Sequence, residues 1–478
     1  MDPSHTDTRT GVSSMCTHSA ITQETFDNAV KENREVFDLN EKDALEETVH
    51  QFESQGVNLS GILVKPMASQ ELGAIKTAVE KLVQLQKTKG SLETVNETLK
   101  EITAACDQGV PHRIAAGKAD AYRVLLDTYE TFNDKDARTN VLKALIALMT
   151  KQPDLLDVRG IEFIISNLKD QRSDPQLQRL ILKWTKESCV KHETNRQQIF
   201  DSHIVDILKG FLIENTPIEV IRETLSVCRA LVLDDDIRVE FGRAHEHARV
   251  IASETLCSIM TLLSKYRGEE QLNVDIMLTL TALMVRAEFC KKVYDAGGID
   301  LIKNVMETFA NSDKIIRQGF KLIKSLAGDD ECKEHLIVKG YTEVLRDSIL
   351  ANMESAGTVT AGLAAIAAMT LRSPQNSKAL FDAGIPEVIV AAMKHHSEQK
   401  AVQKAGSWAI RNMVSRSQYQ CAKFIDLGAE EVLHQNLEKF KDTQYDVKAA
   451  LRDLGCNLVF KEEWTGKGGA LTTGKIRE

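Results

Sequence analysis

The 478-residue chain carries 60 basic and 69 acidic side chains, a formal net charge of −9. That balance excludes a general electrostatic pull toward nucleic acid or anionic lipid. Hydrophobic residues make up 43% and aromatic residues 5%, so the expected core is Leu, Ile, Val and Ala rather than large rings.

Nine cysteines, at 16, 106, 189, 228, 257, 290, 332, 421 and 456, include no C-x-x-C pair. They read as reduced thiols of a cytoplasmic and/or nuclear protein, not as a disulfide framework. The opening MDPSHTDTRT shows neither a basic-then-apolar leader nor an Arg-rich presequence, so no export or organelle import is expected.

Residues 1–20 are polar and aperiodic and are expected to form a disordered tail. Residues 21–61 predict an acidic helical arm of two amphipathic helices, marked by Phe26, Val30 and Phe37 and then by Leu45, Val49 and Phe52. Asn40, with Asp43 three residues on, is the expected cap of the second. This arm holds 10 acidic against 3 basic residues, which suits either a polar cap on a stack of repeats or a docking segment. Residues 62–109 predict two further helices, the second capped by Ser91. Gly73 lies 44 residues before Gly117, but Thr77 and Ala78 are poor apolar matches, so this is a degenerate first repeat.

From 110 to 460 one pattern recurs: an often small residue after a helix end, with apolar residues four, five and usually eight positions on. Its anchors are Gly117, Gly160, His203, Thr255, Gly297, Gly340, Gly384 and Gly428, at steps of 43, 43, 52, 42, 43, 44 and 44. A period near 40 to 47 is that of stacked helical repeats, each unable to bury its apolar stripe alone. The long step marks an insertion near 234–250, expected as a loop. The uncharged run Ser355–Leu371 falls inside one step and is rich in Ala, Gly and Thr, so it predicts a helix buried on several sides rather than a membrane span.

The clearest repeat runs from Lys378 to Val414 as three helical pieces. The first stops at Asp382-Ala383-Gly384, where Gly suits a left-handed residue, and the second opens with Pro386 in its first turn. The third spaces Val402, Ala405, Trp408, Ala409 and Met413 along one face. After it the array closes with a helix over 445–456, and residues 461–478 are expected to form a flexible basic tail.

Ser407-Trp408-Ala409-Ile410-Arg411-Asn412-Met413 resembles the inner helix of an armadillo repeat, and Gly384-Ile385-Pro386 the start of that repeat's middle helix. The resemblance implies an all-α, right-handed armadillo-type α-solenoid of three-helix repeats, its third helices lining a concave groove for an extended peptide. Glu24-Thr25-Phe26-Asp27 with Gln51-Phe52-Glu53-Ser54-Gln55-Gly56-Val57, and Asp234-Asp235-Asp236-Ile237-Arg238-Val239 with Ala450-Leu451-Arg452-Asp453-Leu454-Gly455, look like the family of armadillo repeat-containing protein six. Importin-alpha proteins hold basic signals with repeated Trp and Asn pairs four apart. Here that pair occurs once, at Trp408 and Asn412, and the matching Asn positions are Ala230, Ala282, Ser325 and Ala368.

No catalytic constellation or cofactor site emerges. Asp234, Asp235, Asp236, His245 and His247 hold donor atoms, but two His residues two apart on a helix point about 200° apart. His192-Glu193 is followed by Arg at 196, so it is no zinc-protease helix. Gly466-Lys467-Gly468 lacks the first Gly of a phosphate loop, and Met353-Glu354-Ser355-Ala356-Gly357 that of a nucleophile elbow. The expected protein is a non-enzymatic scaffold, monomeric, binding a protein or extended peptide and neither nucleic acid nor membrane. Expected contact residues are Trp408, Arg411 and Asn412, with Arg229 and Lys324 on related helices. The alternative is a transport adaptor for basic cargo.

Overall fold

The computed structural model describes residues 21–37, 39–55, 57, 59, 62–64, 69–169 and 174–456. The tails expected at 1–20 and 461–478 lie outside these. The described residues form α-helices, three short 3-10 turns and no strand, and the chain divides into two compact units at Gly298 and Ile299.

The first unit opens with a helical hairpin, α1 (Gln23–Val36) and α2 (Glu41–Ser54). Thr22 and Asn40 accept backbone N–H groups of Thr25 and Asp43, supplying donors that helix starts leave unpaired with a partner. The hairpin closes on the Phe26 and Phe52 rings, 6.1 Å apart, and on a buried bond from Asn33 Nδ2 to Thr48 Oγ1 at 2.8 Å. Phe37, expected on the apolar stripe, sits in the C-cap position of α1 and is 61% exposed. Next come α3 (Ser69–Thr88) and α4 (Leu92–Asp107), the latter capped by Ser91 as expected.

The repeats of this unit are α5 (Val110–Lys118), α6 (Ala121–Thr131) and α7 (Lys135–Met149); then α8 (Val158–Lys169) and α9 (Pro175–Cys189); then α10 (Glu193–Asp201), α11 (Ile204–Phe211) and α12 (Ile218–Leu231); then α13 (Ala244–Lys265) and α14 (Glu270–Leu283), followed by α15 (Ala287–Asp295). The inner helices α4, α7, α9, α12 and α14 pack each on the next. His203 and Gly297 adopt the left-handed conformation of a helix stop, at φ 60° and 72°. Gly117, Gly160 and Thr255 do not mark stops, since all three lie inside helices. Asp120 is the left-handed residue between α5 and α6. A single 3-10 turn, Pro153–Leu155, stands in place of a first helix before α8. At Gly160 a Cβ would come within 2.0 Å of the Tyr122 hydroxyl, so close approach explains that glycine. Thr255 is buried midway along α13, one 22-residue helix where two shorter ones were expected. Of the insertion near 234–250, residues 244–250 are accordingly the opening turns of α13, and only 232–243 are non-helical.

The second unit is more regular: α16 (Gly298–Thr308) and α17 (Asp313–Leu326); α18 (Asp330–Val338), α19 (Tyr341–Ala351) and α20 (Ala356–Thr370); α21 (Pro374–Asp382), α22 (Ile385–His395) and α23 (Lys400–Val414); α24 (Cys421–Asp426), α25 (Ala429–Lys439) and α26 (Gln444–Leu454). Gly340, Gly384 and Gly428 each precede a middle helix at φ between 74° and 87°, and Pro386 falls in the first turn of α22 as its fixed φ favours. A second glycine recurs on the inner helices at 319, 362 and 406. A Cβ there would press to 2.5, 2.7 and 2.4 Å against Met306, Ile349 and Met393, so inner and middle helices meet in near-backbone contact. The run Ser355–Leu371 forms α20, packed between α17 and α23 with Val359, Leu363, Ile366 and Met369 fully buried. Among the described residues no helix is long and apolar enough to cross a membrane.

Candidate functional site

The inner helices of the second unit share an exposed face. On α23, Val402, Ala405, Ala409 and Met413 point inward and are buried, but Trp408 does not belong with them: it is 36% exposed. Its ring lies under the Lys404 ammonium, 4.9 Å from the ring centroid, a cation–π pairing that fixes the indole at the surface. One repeat earlier the same positions on α20 are Thr360, Ala364 and Ala368, so the surface beside Trp408 is floored by small side chains. Asn412 Nδ2 donates to the backbone carbonyl of Ala367 at 2.8 Å, tying α23 to α20, and its side chain is half-buried. Arg411 turns the other way, its Nε 3.5 Å from Asp453 of the chain segment α26.

That last pair is one rung of a ladder. Lys400 meets Asp442, Lys404 stands 3.9 Å from Asp446, and Arg411 meets Asp453, joining α23 to the start and length of α26. The Lys400 hydrogen bond holds the Asp442 carboxyl below its usual range. On α17, Arg317 pairs with Asp313 and reaches Ser355 Oγ and Thr358 Oγ1 at 3.2 Å each. Burial works to raise the Asp313 pKa, but hydrogen bonds from Ser355 and Thr358 and the Arg317 charge outweigh it. Lys324, two turns beyond Arg317, is exposed, as is Lys321. The sequence reading missed Lys321 and Lys404; their spacing of three and four from Lys324 and Trp408 was the available signal.

Arg229 sits in the first unit and is differently occupied. Its NH1 donates to the Asp275 carbonyl at 2.9 Å and to Thr279 Oγ1 at 2.8 Å, and its NH2 to Asp275 Oδ1 at 3.1 Å. These bonds join α12 to α14, and burial pulls the guanidinium pKa down against the opposing Asp275 charge. Of the five expected contact residues, the structure puts Trp408, Arg411 and Asn412 on α23 and Lys324 on α17 of the second unit, and Arg229 on α12 of the first.

In the acidic segment after α12, Asp234 is exposed while Asp235 and Asp236 turn inward. Asp236 Oδ2 accepts the Glu193 N–H at 2.9 Å and Oδ1 accepts Arg238 Nε at 2.8 Å; Asp235 Oδ1 takes Arg196 NH1 at 2.6 Å. Arg196, 1% exposed, also donates to Glu193 Oε2 at 2.8 Å and to the Cys189 carbonyl at 2.8 Å. Arg238 reaches on to Asp154 Oδ1 at 3.0 Å, and Glu193 Oε1 takes the Arg243 N–H at 2.7 Å. Burial works to raise the pKa of Asp236 and Glu193, but these hydrogen bonds hold both below their ordinary values. His247 is buried, stacked on Phe200 with ring centroids 3.9 Å apart and bonded to the Leu231 carbonyl through Nδ1, whereas His245 is exposed. Among the described residues, no three His, Cys, Asp or Glu converge as metal ligands. Burial pushes the thiols of Cys106, Cys189 and Cys228 up to about 12, so they remain protonated packing residues at neutral pH.

Three-helix repeats with stacked inner helices define an armadillo-type α-solenoid, a class of protein-interaction scaffolds. Two solved chains share this fold: an engineered protein, at TM-score 0.63 and 17% identity over 91% of this chain and 99% of that one, and a chain from a study of the phosphorylation switch controlling the interaction between cadherin and beta-catenin, at TM-score 0.53 and 15% identity over 78% and 68%. The chain belongs to the ARMC6 family, whose model matches residues 75–473, while the Armadillo repeat-containing protein 6 N-terminal domain matches residues 18–83. It is 38% identical over 457 residues to the Armadillo repeat-containing protein 6 homolog of Drosophila melanogaster, covering 93% of this chain and 97% of that protein. To Armadillo repeat-containing protein 6 of Homo sapiens it is 31% identical over 469 residues, covering 94% of each.

Proposed function

We propose that this chain is a non-catalytic scaffold that holds a segment of a partner protein against the exposed inner-helix face of its second unit. The observation that carries the reading is Trp408: a large apolar ring kept at the surface, under Lys404 and beside the small-residue floor of α20, is where a partner side chain gains most by burial. Lys324, Arg411 and Asn412 would flank the segment, each with polar hydrogens near the surface. Arg229, on α12 of the first unit, is left out of this site, its hydrogen-bonding groups being engaged between α12 and α14.

The alternative, an adaptor for basic cargo, calls for unpaired carboxylates on this face. Asp442, Asp446 and Asp453 each answer a Lys or Arg of α23, which favours the first reading. The test is capture of partners by the full chain carrying Trp408→Ala or Arg411→Ala/Asn412→Ala, read with a thermal melt. The expected result is weakened capture with little change in melting temperature; undiminished capture by both variants would remove this site.

A further inference from the structure

We propose that the segment received by this face is acidic: an extended stretch rich in Asp and Glu. This rests on the groove reading above and adds the sign of the ligand.

The exposed side of α17 carries Lys314, Arg317, Lys321 and Lys324 at offsets of three, four and three, one stripe of a helix. The opposite side is sealed into the core by Ile315, Ile316, Phe320 and Ile323, so the stripe cannot turn inward. Arg317 is half-buried and committed to Asp313. Lys314, Lys321 and Lys324 are exposed and pair with no carboxylate among the described residues. From Asp313 to the end of α17 there is no further Asp or Glu, and α20, the next inner helix, has no charged residue at all. Across α20 stand Lys404, over the Trp408 ring, and Arg411, and the carboxylates facing them on α26 are already paired, Asp446 with Lys404 and Asp453 with both Arg411 and Arg452.

The face therefore carries a positive surplus in a chain whose net charge is −9, so the surplus is local and runs against the overall composition. Its length also suits a peptide. Lys314 to Lys324 spans about 15 Å of helix, the reach of about five extended residues. A cluster of acidic side chains laid along α17, with one apolar side chain over the Ala364 and Ala368 floor against Trp408, would match both its charge and its relief. A long polyanion such as nucleic acid fits less well, because the net negative field of the remainder repels it beyond the contact itself.

The test is fluorescence anisotropy on the full chain with four labelled ten-residue probes: decaglutamate, decalysine, a Gly-Ser peptide and single-stranded oligo-dT. The expected result is saturable binding of decaglutamate alone, weakening severalfold between about 50 and 300 mM salt. Lys321→Glu/Lys324→Glu should weaken it by about tenfold, while Lys378→Glu on the outer helix α21 leaves it unchanged; circular dichroism melts of all variants check that the fold persists. Decaglutamate that fails to bind, or binds no better than the Gly-Ser peptide, overturns the proposal, as does tighter binding of oligo-dT. Preferential binding of decalysine that is lost in Trp408→Ala overturns the acidic assignment and leaves the groove reading standing. If no probe responds to the lysine pair or to Trp408→Ala, both readings fall.

Discussion

The two units solve the same packing problem with different chemistry. In the second, every turn between first and middle helix is a left-handed glycine, and inner helices sit on middle helices through Gly319, Gly362 and Gly406. In the first, the repeat is broken by a lost first helix before α8 and by the continuous α13, and the gap is bridged by Asp235, Asp236, Arg238, Glu193 and Arg196. Small residues suffice where the repeat is regular; where it is interrupted, fixed hydrogen-bonding groups set the geometry. The first unit buries an ionic cluster around Arg196, Glu193 and Asp236, whereas the inner-helix lysines of the second unit stay at the surface.

The largest effect is expected at the hydrogen-bonded belt of Glu193, Arg196, Asp235, Asp236 and Arg238 in the first unit. Arg196→Met leaves Glu193 and Asp235 facing each other without their cation and should cost about 3–5 kcal/mol, read as a lowered urea midpoint. In the second unit, Gly362→Leu drives a side chain into Ile349 and Phe320, and overpacking of this kind costs about 1–3 kcal/mol. Gly384→Val meets only Glu387 Oε2, at 3.8 Å from the added Cβ, but must hold φ near 82°, for about 1–2 kcal/mol; an unaltered melt would contradict the left-handed stop.

Acid should act on the buried carboxylates and histidine of the first unit. Asp236 and Glu193 have depressed pKa values in the fold, so their stabilisation is present above their unfolded values near 4 and is lost as pH falls through the folded ones. His247 is also depressed, by burial, so it stays neutral when folded while the unfolded chain takes up a proton below about 6.5. Both slopes have the same sign: urea midpoints should fall as pH drops below about 6.5, and a midpoint that rises there would refute the belt's role. The smallest effect is at the surface ladder, where Lys400→Ala should leave the melting temperature essentially unchanged, since exposed ion pairs contribute little.

Much of the second unit, and the helix starts of the first, were legible because their signals are local. A Gly before Pro386 and a small-residue run through α20 in the second unit, and caps at Asn40 and Ser91 in the first, each act within a few residues. The continuous α13 was not, because Thr255 has apolar neighbours at the spacing of a helix start whether or not the chain breaks there. Trp408 was also ambiguous, since periodicity counts an indole with the core, and only the packing of α20 beside α23 leaves it outside. The inward turn of Asp235 and Asp236 depends on Arg196 and Glu193, some forty residues away, which no short motif reports.

The most direct test of the central claim is lysine cross-linking of the full chain with partners from cell extract, mapped by mass spectrometry. The account predicts intermolecular cross-links at Lys321, Lys324 and Lys404. Cross-links confined to lysines of the first and middle helices, such as Lys378, Lys394 and Lys423, would place the partner away from the inner helices and contradict it.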